Sequence, residues 1–205
     1  MRAVLIAGGR MSDYAYIRQF ISPEDYIIAI DSGYHHAVAL GLRPHVLLGD
    51  FDSITTALPE GIELHRVPTE KDFTDLDLAV AWARERALGE FLLLGTIGSR
   101  MDHTLSGIFL LSGLLEAGER AEVLDEHNRI WLTDREIEVA GAPGDLLSLI
   151  PLTPCAGVTT HNLAYPLQSA ALSPGHGLGV SNVILESPAK VELTSGKLLV
   201  MLCRD

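Results

Sequence analysis

The sequence predicts two successive folds in one chain: an α/β domain with a mostly parallel sheet over residues 1–128 and an all-β domain over residues 129–205. Three observations carry that reading. Up to about residue 125, short β-rich runs alternate with helical patterns, as strands joined by helical crossovers do. After about residue 133 helical periodicity disappears, and Pro, Gly, Ser and Thr separate short apolar stretches. A length of 205 residues accommodates one full α/β domain with a smaller partner.

In chain order, apolar runs over residues 4–7, 26–30, 45–48 and 91–94 predict strands, each followed by Gly, Asp or Ser. Thr74, with Asp77 three residues on, is a helix start signal, and Leu76, Val80, Ala83 and Ala87 follow at helical spacing. A second helix is predicted over residues 103–116, apolar nearly all round and therefore buried on more than one side. The run Ile130-Trp131-Leu132 fits a last strand of either half. Beyond it, residues 146–152, 180–185 and 198–203 predict strands of the all-β part.

Charge restricts the partners. Fifteen Lys and Arg against 27 Asp and Glu give a formal charge of −12, which repels a nucleic-acid backbone or an anionic membrane. A polyanionic small ligand then needs a divalent cation and a few local cationic side chains. Cys155 and Cys203 lie far apart and read as two buried thiols, not as a disulfide or zinc site. The opening run Val4-Leu5-Ile6 ends in Gly8-Gly9 and suits a first strand better than a signal peptide or a spanning helix, which predicts a cytoplasmic protein.

The aspartates carry the chemistry. Asp31, Asp50 and Asp52 follow predicted strands, and Asp102 comes soon after the fourth. Ligands of open, Rossmann-like sheets bind outside the carboxyl ends of the strands, so acids distant in sequence converge there. Asp72 and Asp75, at the entry to the Thr74 helix, join them. Converging carboxylates repel one another unless a cation lies between them, and a set of oxygen ligands favours Mg²⁺. In an extended segment Asp50 and Asp52 face the same way. The alternative for any one of them is a turn or cap residue.

Neither a Walker loop, a kinase Gly-rich loop nor a nucleophilic serine elbow is present. Gly8-Gly9 is a weak phosphate or adenine signal. Lys71 and Arg100 each adjoin or closely flank an aspartate of the set and supply positive charge for a triphosphate, or else form surface ion pairs. His35-His36 reads as a helix start, and His103 alone among the histidines lies near the acids.

Asp31-Ser32-Gly33, PHVLLGDFDS over residues 44–53, EKDFTD over 70–75 and GTIGSRMDHTL over 95–105 together resemble the thiamine pyrophosphokinase family, in the family's order and at its spacing. The resemblance extends from the first strand to the C-terminus. It implies an α/β domain, a C-terminal β-sandwich and a homodimer with active sites between subunits. It implies that Asp50, Asp52 and Asp75 handle Mg²⁺ and phosphate, with Asp31, Asp72 and Asp102 beside them. It also places Lys71, Thr74 and Arg100 near the triphosphate of ATP, and Gly8, Gly9, Ser32 and Gly33 by the adenosine. Asn162-Leu163-Ala164-Tyr165-Pro166-Leu167 is similar to the family's substrate segment, with Tyr165 stacking on the thiamine ring. Gly179-Val180-Ser181-Asn182 is similar to a second thiamine-contacting element, which gives Ser181 and Asn182 that role. The family commonly has Gly and Lys where this chain has Asn162 and Ala164, and an acid where it has Val183.

The implied reaction is attack of the thiamine hydroxyl on the β-phosphorus of ATP with departure of AMP. Positioning and electrostatics carry such transfers. Two alternatives remain open at this stage: pyrophosphorylation of another small alcohol such as a hydroxymethylpterin, and a non-catalytic Mg·ATP sensor.

Overall fold

The computed structural model describes residues 1–51, 54, 60–67 and 72–204. The chain divides into two compact units, Met1–Glu126 and His127–Asp205.

The first unit runs β1 (Arg2–Ile6), α1 (Tyr14–Arg18), β2 (Tyr26–Ile30), α2 (Gly33–Ala39), β3 (Val46–Gly49), β4 (Glu63–Arg66), α3 (Asp75–Arg84), β5 (Glu90–Leu94), α4 (Met101–Glu116) and β6 (Arg120–Leu124). Its strands are ordered β4-β3-β2-β1-β5-β6, and each neighbouring pair is parallel. Four of the five residues in β1, β2 and β5 are buried. Strands covered on both faces read as continuous apolar runs, which is why they were visible in the sequence.

Val4 and Ile6 of β1 share a buried cluster with Ile17 of α1, Ala37 of α2 and Leu92 and Leu94 of β5. The chain winds outward from β1 to β4 and returns to the other side of β1 as β5. Strand order therefore reverses between β1 and β5, where open α/β sheets leave a crevice at the carboxyl ends. At the opposite sheet end, Arg2 clamps the buried Asp25 with two hydrogen bonds, Nε to Oδ1 at 3.1 Å and Nη2 to Oδ2 at 2.6 Å.

Helix α3 starts as expected. The Thr74 hydroxyl accepts from the Asp77 N–H at 3.2 Å, and Asp77 Oδ2 accepts from the Thr74 N–H at 3.0 Å, a reciprocal cap that satisfies two orphan donors. Helix α4 begins at Met101, two residues before the predicted start, because Arg100 already occupies an extended capping position.

The second unit comprises β7 (Asn128–Thr133), β8 (Glu136–Val139), β9 (Leu146–Pro151), β10 (Cys155–His161), β11 (Ala170–Leu172), β12 (Asn182–Val183), β13 (Ala189–Glu192) and β14 (Leu198–Cys203). They form two antiparallel sets, β12-β9-β14-β7 and β11-β10-β13-β8. Leu147 and Leu149 of β9, Val200 of β14, Val158 of β10 and Val191 of β13 belong to one buried cluster, so both sets contribute to a common core.

The unit begins slightly before residue 129 because β7 pairs with β14 from Asn128↔Cys203 onward. The strand expected over residues 180–185 shrinks to two residues, since Gly179 and Ser181 have φ of 101° and 58°, outside extended geometry. Cys155 is buried, whereas Cys203 is only half-buried. Among the described residues, no helix is long and apolar enough to cross a membrane.

Candidate active site

A cavity of about 380 Å³ opens where the strand order reverses, lined by Ala7, Gly8 and Gly9 after β1, Asp31 and Ser32 after β2, and Gly95, Thr96, Gly98, Ser99 and Arg100 after β5. Thr74, Asp75 and Leu76 at the start of α3 complete it, with His103, Ser106 and Gly107 of α4.

Its walls approach so closely that side chains are excluded. A Cβ on Gly8 would fall 1.9 Å from Ser32 Oγ, and one on Gly9 would fall 2.3 Å from the Gly95 carbonyl oxygen. Gly95 itself has φ of 64°, and its Cβ would lie 2.1 Å from the Ala7 carbonyl oxygen. Backbone hydrogen bonds tie the loops together, Gly9 N–H to Gly95 O at 2.7 Å and Arg10 N–H to Ile97 O at 2.8 Å. Polar backbone at the carboxyl end of a parallel sheet, with no side chain in the way, suits close approach of a phosphate-bearing ligand.

The cavity brings together Gly8, Gly9, Asp31, Ser32, Thr74, Asp75 and Arg100 from the residues singled out in the sequence, but not all of them. Gly33 is not in the lining, and a Cβ there would sit 1.9 Å from the Ile6 carbonyl oxygen, so its absence lets α2 close on β1. Asp50 follows β3 and Asp72 precedes α3, both outside the cavity lining. Asp52 and Lys71 lie outside the described residues. The premise that Asp50 and Asp52 share an extended segment does not hold, because Phe51 between them has φ of 69°.

Asp31 leans onto the end of β3. A Cβ at Gly49 would fall 1.7 Å from Asp31 Oδ1, so Gly49 makes room for the carboxylate immediately before Asp50.

Arg100 reaches the cavity from the N-cap of α4, and its guanidinium is paired with Asp102 through Nε to Oδ1 at 3.2 Å and Nη2 to Oδ2 at 2.6 Å. That pair, with the His103 N–H donating to Asp102 Oδ1 at 2.9 Å, holds the Asp102 carboxyl down to about 2. Asp102 is exposed, outside the cavity lining, and turned to Arg100.

Sequence reasoning passed over Thr96. Its Oγ1 is buried without a hydrogen-bond partner among the described residues, in the wall of the cavity. Such an orphan hydroxyl costs free energy unless something answers it. The signal was its place between Gly95 and Gly98 in the loop after β5.

The donor set fits a hard cation held jointly with a ligand. Asp31 and Asp75 both line the cavity, while no trio of His, Cys, Asp or Glu side chains is gathered into a metal cage among the described residues. Mg²⁺ is held in that way, by one or two carboxylates with phosphate oxygens and waters.

In the second unit Tyr165 lies in a bend and is 70% exposed, so it is not a core tyrosine. Asn182 is buried, and its amide clamps the backbone of Tyr165: Oδ1 accepts from the Tyr165 N–H at 2.9 Å, and Nδ2 donates to the Tyr165 carbonyl at 2.7 Å. Oδ1 also accepts from the Val183 N–H at 2.9 Å. The Asn182 side chain thus faces the chain itself, whereas Ser181 is exposed with φ of 58°. Asn162 has φ of 63°, a conformation that Asn shares with Gly, which accounts physically for Asn where the resembling family commonly has Gly.

A family model described as "Thiamin pyrophosphokinase, catalytic domain" matches residues 17–123, and one described as "Thiamin pyrophosphokinase, vitamin B1 binding domain" matches residues 134–198. The chain is 28% identical to the thiamine pyrophosphokinase of Bacillus subtilis (strain 168) over 98% of each chain. The crystal structure of thiamine pyrophosphokinase from Bacillus subtilis superposes with a TM-score of 0.88 at 26% identity, covering 100% of both chains. That of thiamin pyrophosphokinase from Geobacillus thermodenitrificans gives 0.85 at 26% identity, covering 100% of this chain and 98% of the other. With the catalytic-domain match alone spanning more than half of its residues, the chain belongs to the thiamine pyrophosphokinase family.

Proposed function

We propose that the chain transfers diphosphate from ATP to the hydroxyl of thiamine, in the cytoplasm, with ATP in the cavity of the first unit and thiamine recognised by the second. The observation that carries this reading is a glycine-walled cavity lined by Asp31, Asp75 and Arg100, three residues that fall within the span of the catalytic-domain match. The thiamine hydroxyl oxygen bonds to the β-phosphorus of ATP, the bond from that phosphorus to the α–β bridging oxygen breaks, and AMP leaves with the oxygen. The hydroxyl proton passes to a carboxylate or to water.

The protein's part is positioning and charge. The glycine backbone and Ser32 receive the nucleotide, Thr96 offers its buried hydroxyl, and Arg100 exchanges Asp102 for phosphate oxygens. Asp75, Asp50 and Asp52, with Asp31 beside them, would hold Mg²⁺, which would supply positive charge against the phosphates. Asp72, ahead of α3, stands beside these acids, and Lys71 contributes positive charge toward the triphosphate. Tyr165 and Ser181 face the thiamine ring, with the exposed Tyr165 ring as its stacking surface. The protein works as a homodimer.

Incubation with ATP, Mg²⁺ and thiamine is expected to yield AMP and thiamine diphosphate in equal amounts. Formation of ADP, or no thiamine-dependent AMP, would overturn the reading.

A further inference from the structure

The Gly8-Gly9 strap is fixed from two directions. On one side its backbone bonds to the loop after β5, through Gly95 and Ile97. On the other, His36 of α2 approaches the Gly9 carbonyl oxygen, Nε2 to O at 2.8 Å, and the Tyr14 hydroxyl at the start of α1 lies 2.9 Å from His36 Nδ1. A carbonyl oxygen only accepts, so Nε2 carries the proton and donates. In the neutral ring Nδ1 is then an acceptor, and the Tyr14 hydroxyl donates to it. The two bonds run in series from Tyr14 to His36 to Gly9, and together they choose the tautomer and hold the ring plane.

A strap without side chains has no packing of its own to resist peptide rotation. Its neighbours set its orientation. Gly8 and Gly9 line the cavity, so a turn of the Gly9 peptide changes which backbone groups face a ligand.

We propose that His36, oriented by Tyr14, is a positioning residue for nucleotide binding, which it serves by holding the Gly9 carbonyl and so presetting the cavity floor. This rests on the reading of the cavity as the ATP site. His36 touches neither nucleotide nor thiamine, and its effect is confined to nucleotide affinity.

Three variants test it. His36→Leu removes the donor and keeps an apolar side chain, His36→Gln returns an N–H near the position of Nε2, and Tyr14→Phe removes only the hydroxyl that orients the ring. Direct binding of Mg·ATP, steady-state constants for both substrates, and amide hydrogen exchange across residues 8–10 are the readouts. For His36→Leu, nucleotide binding is expected to weaken about fivefold to twentyfold, as loss of the partner of a half-buried carbonyl implies. Exchange over the strap should quicken while the thiamine constant stays within about twofold, below what loss of a single contact produces. His36→Gln should recover most of the affinity, and Tyr14→Phe should fall between the two.

Unchanged nucleotide affinity in His36→Leu overturns the proposal. So does a Gln variant as weak as the Leu variant with a wild-type melting temperature, because donation by the side chain then does nothing. Should His36→Leu fail to fold, Tyr14→Phe and His36→Gln decide the matter, and Tyr14→Phe binding Mg·ATP as wild type counts against it. A wild-type protein that binds no Mg·ATP, while exchange over the strap still responds to His36→Leu, refutes the assignment of the cavity to ATP but not the pinning of the strap.

Discussion

At the residue scale, the aspartates show why sequence position and chemical role are separable. Asp102 stood out in the sequence as one of the acids, yet its carboxylate is committed to Arg100 and the His103 N–H and is held down to about 2. The limbs of kcat/KM report groups of the free enzyme, and there a carboxyl held so low does not titrate near neutrality. Asp102→Asn is therefore expected to leave the acid limb of the pH profile of kcat/KM where it is, while changing its height through Arg100. Movement of that limb by a pH unit would identify Asp102 as the titrating group. For stability the sign is fixed: a depressed carboxyl pKa favours the fold above the unfolded value near ~3.9 and ceases to do so as pH falls through about 2. Asn182 teaches the converse. Its buried amide holds Tyr165 by both backbone groups, which no sequence pattern reveals. If Tyr165 stacks on thiamine, Tyr165→Ala and Asn182→Ala should each raise the thiamine KM about threefold to thirtyfold, on a stacking worth of ~0.5 to 2 kcal/mol. The double variant should be little worse than either, with the ATP constant steady. Additive losses in that cycle would show that the two side chains act separately.

At the element scale, the start of α3 was fully legible, because the Thr-x-x-Asp pattern specifies a local hydrogen-bond circuit that needs no tertiary partner. Strands β1, β2 and β5 were legible as continuous buried runs. Strand β4 was not, since all four of its residues are exposed, and α1 spans five residues, too few for a periodic signal. The circuit at α3 also bears on Thr74 as a nucleotide contact. Its hydroxyl donates to Asp77 Oδ2 and accepts from the Asp77 N–H, so its proton is committed to the cap. Thr74→Ala and Asp77→Ala are expected to lower the melting temperature alike, by about 2 to 4 °C for the loss of a cap worth ~1 kcal/mol. They should shift the ATP constant alike as well. An ATP effect several-fold larger for Thr74→Ala would mean that the hydroxyl turns from Asp77 to the nucleotide.

At the scale of the whole molecule, the division into an α/β and an all-β half was legible because the two kinds of core demand different periodicities, and the change is audible where helical spacing stops. The convergence of the site was legible only in outline. Strand-end acids point to a crevice, but the selection of Asp31 and Asp75 over Asp50 and Asp102 for its lining depends on the reversal of strand order and on the left-handed turn at Phe51. Association belongs to this scale too, and charge makes the proposed homodimer testable. Each chain carries −12, so two copies repel at long range, and pairing must rest on short-range contacts. Exposed apolar side chains are present to supply them, among them Met101, Leu105 and Phe109 at four-residue spacing on α4, and Leu178, Val180 and Leu185 in the second unit. Salt screens the repulsion over a Debye length of about 10 Å at 0.1 M and strengthens apolar burial, so both effects act in one direction. Light scattering on an active preparation is expected to give the mass of two chains, with a dissociation constant that falls as salt rises from about 0.02 to 0.3 M, where screening is nearly complete. A single-chain mass at both salts in protein that turns over would refute the dimer. A dimer that dissociates as salt rises would instead place opposite charges at its interface, and the apolar surface would need another explanation.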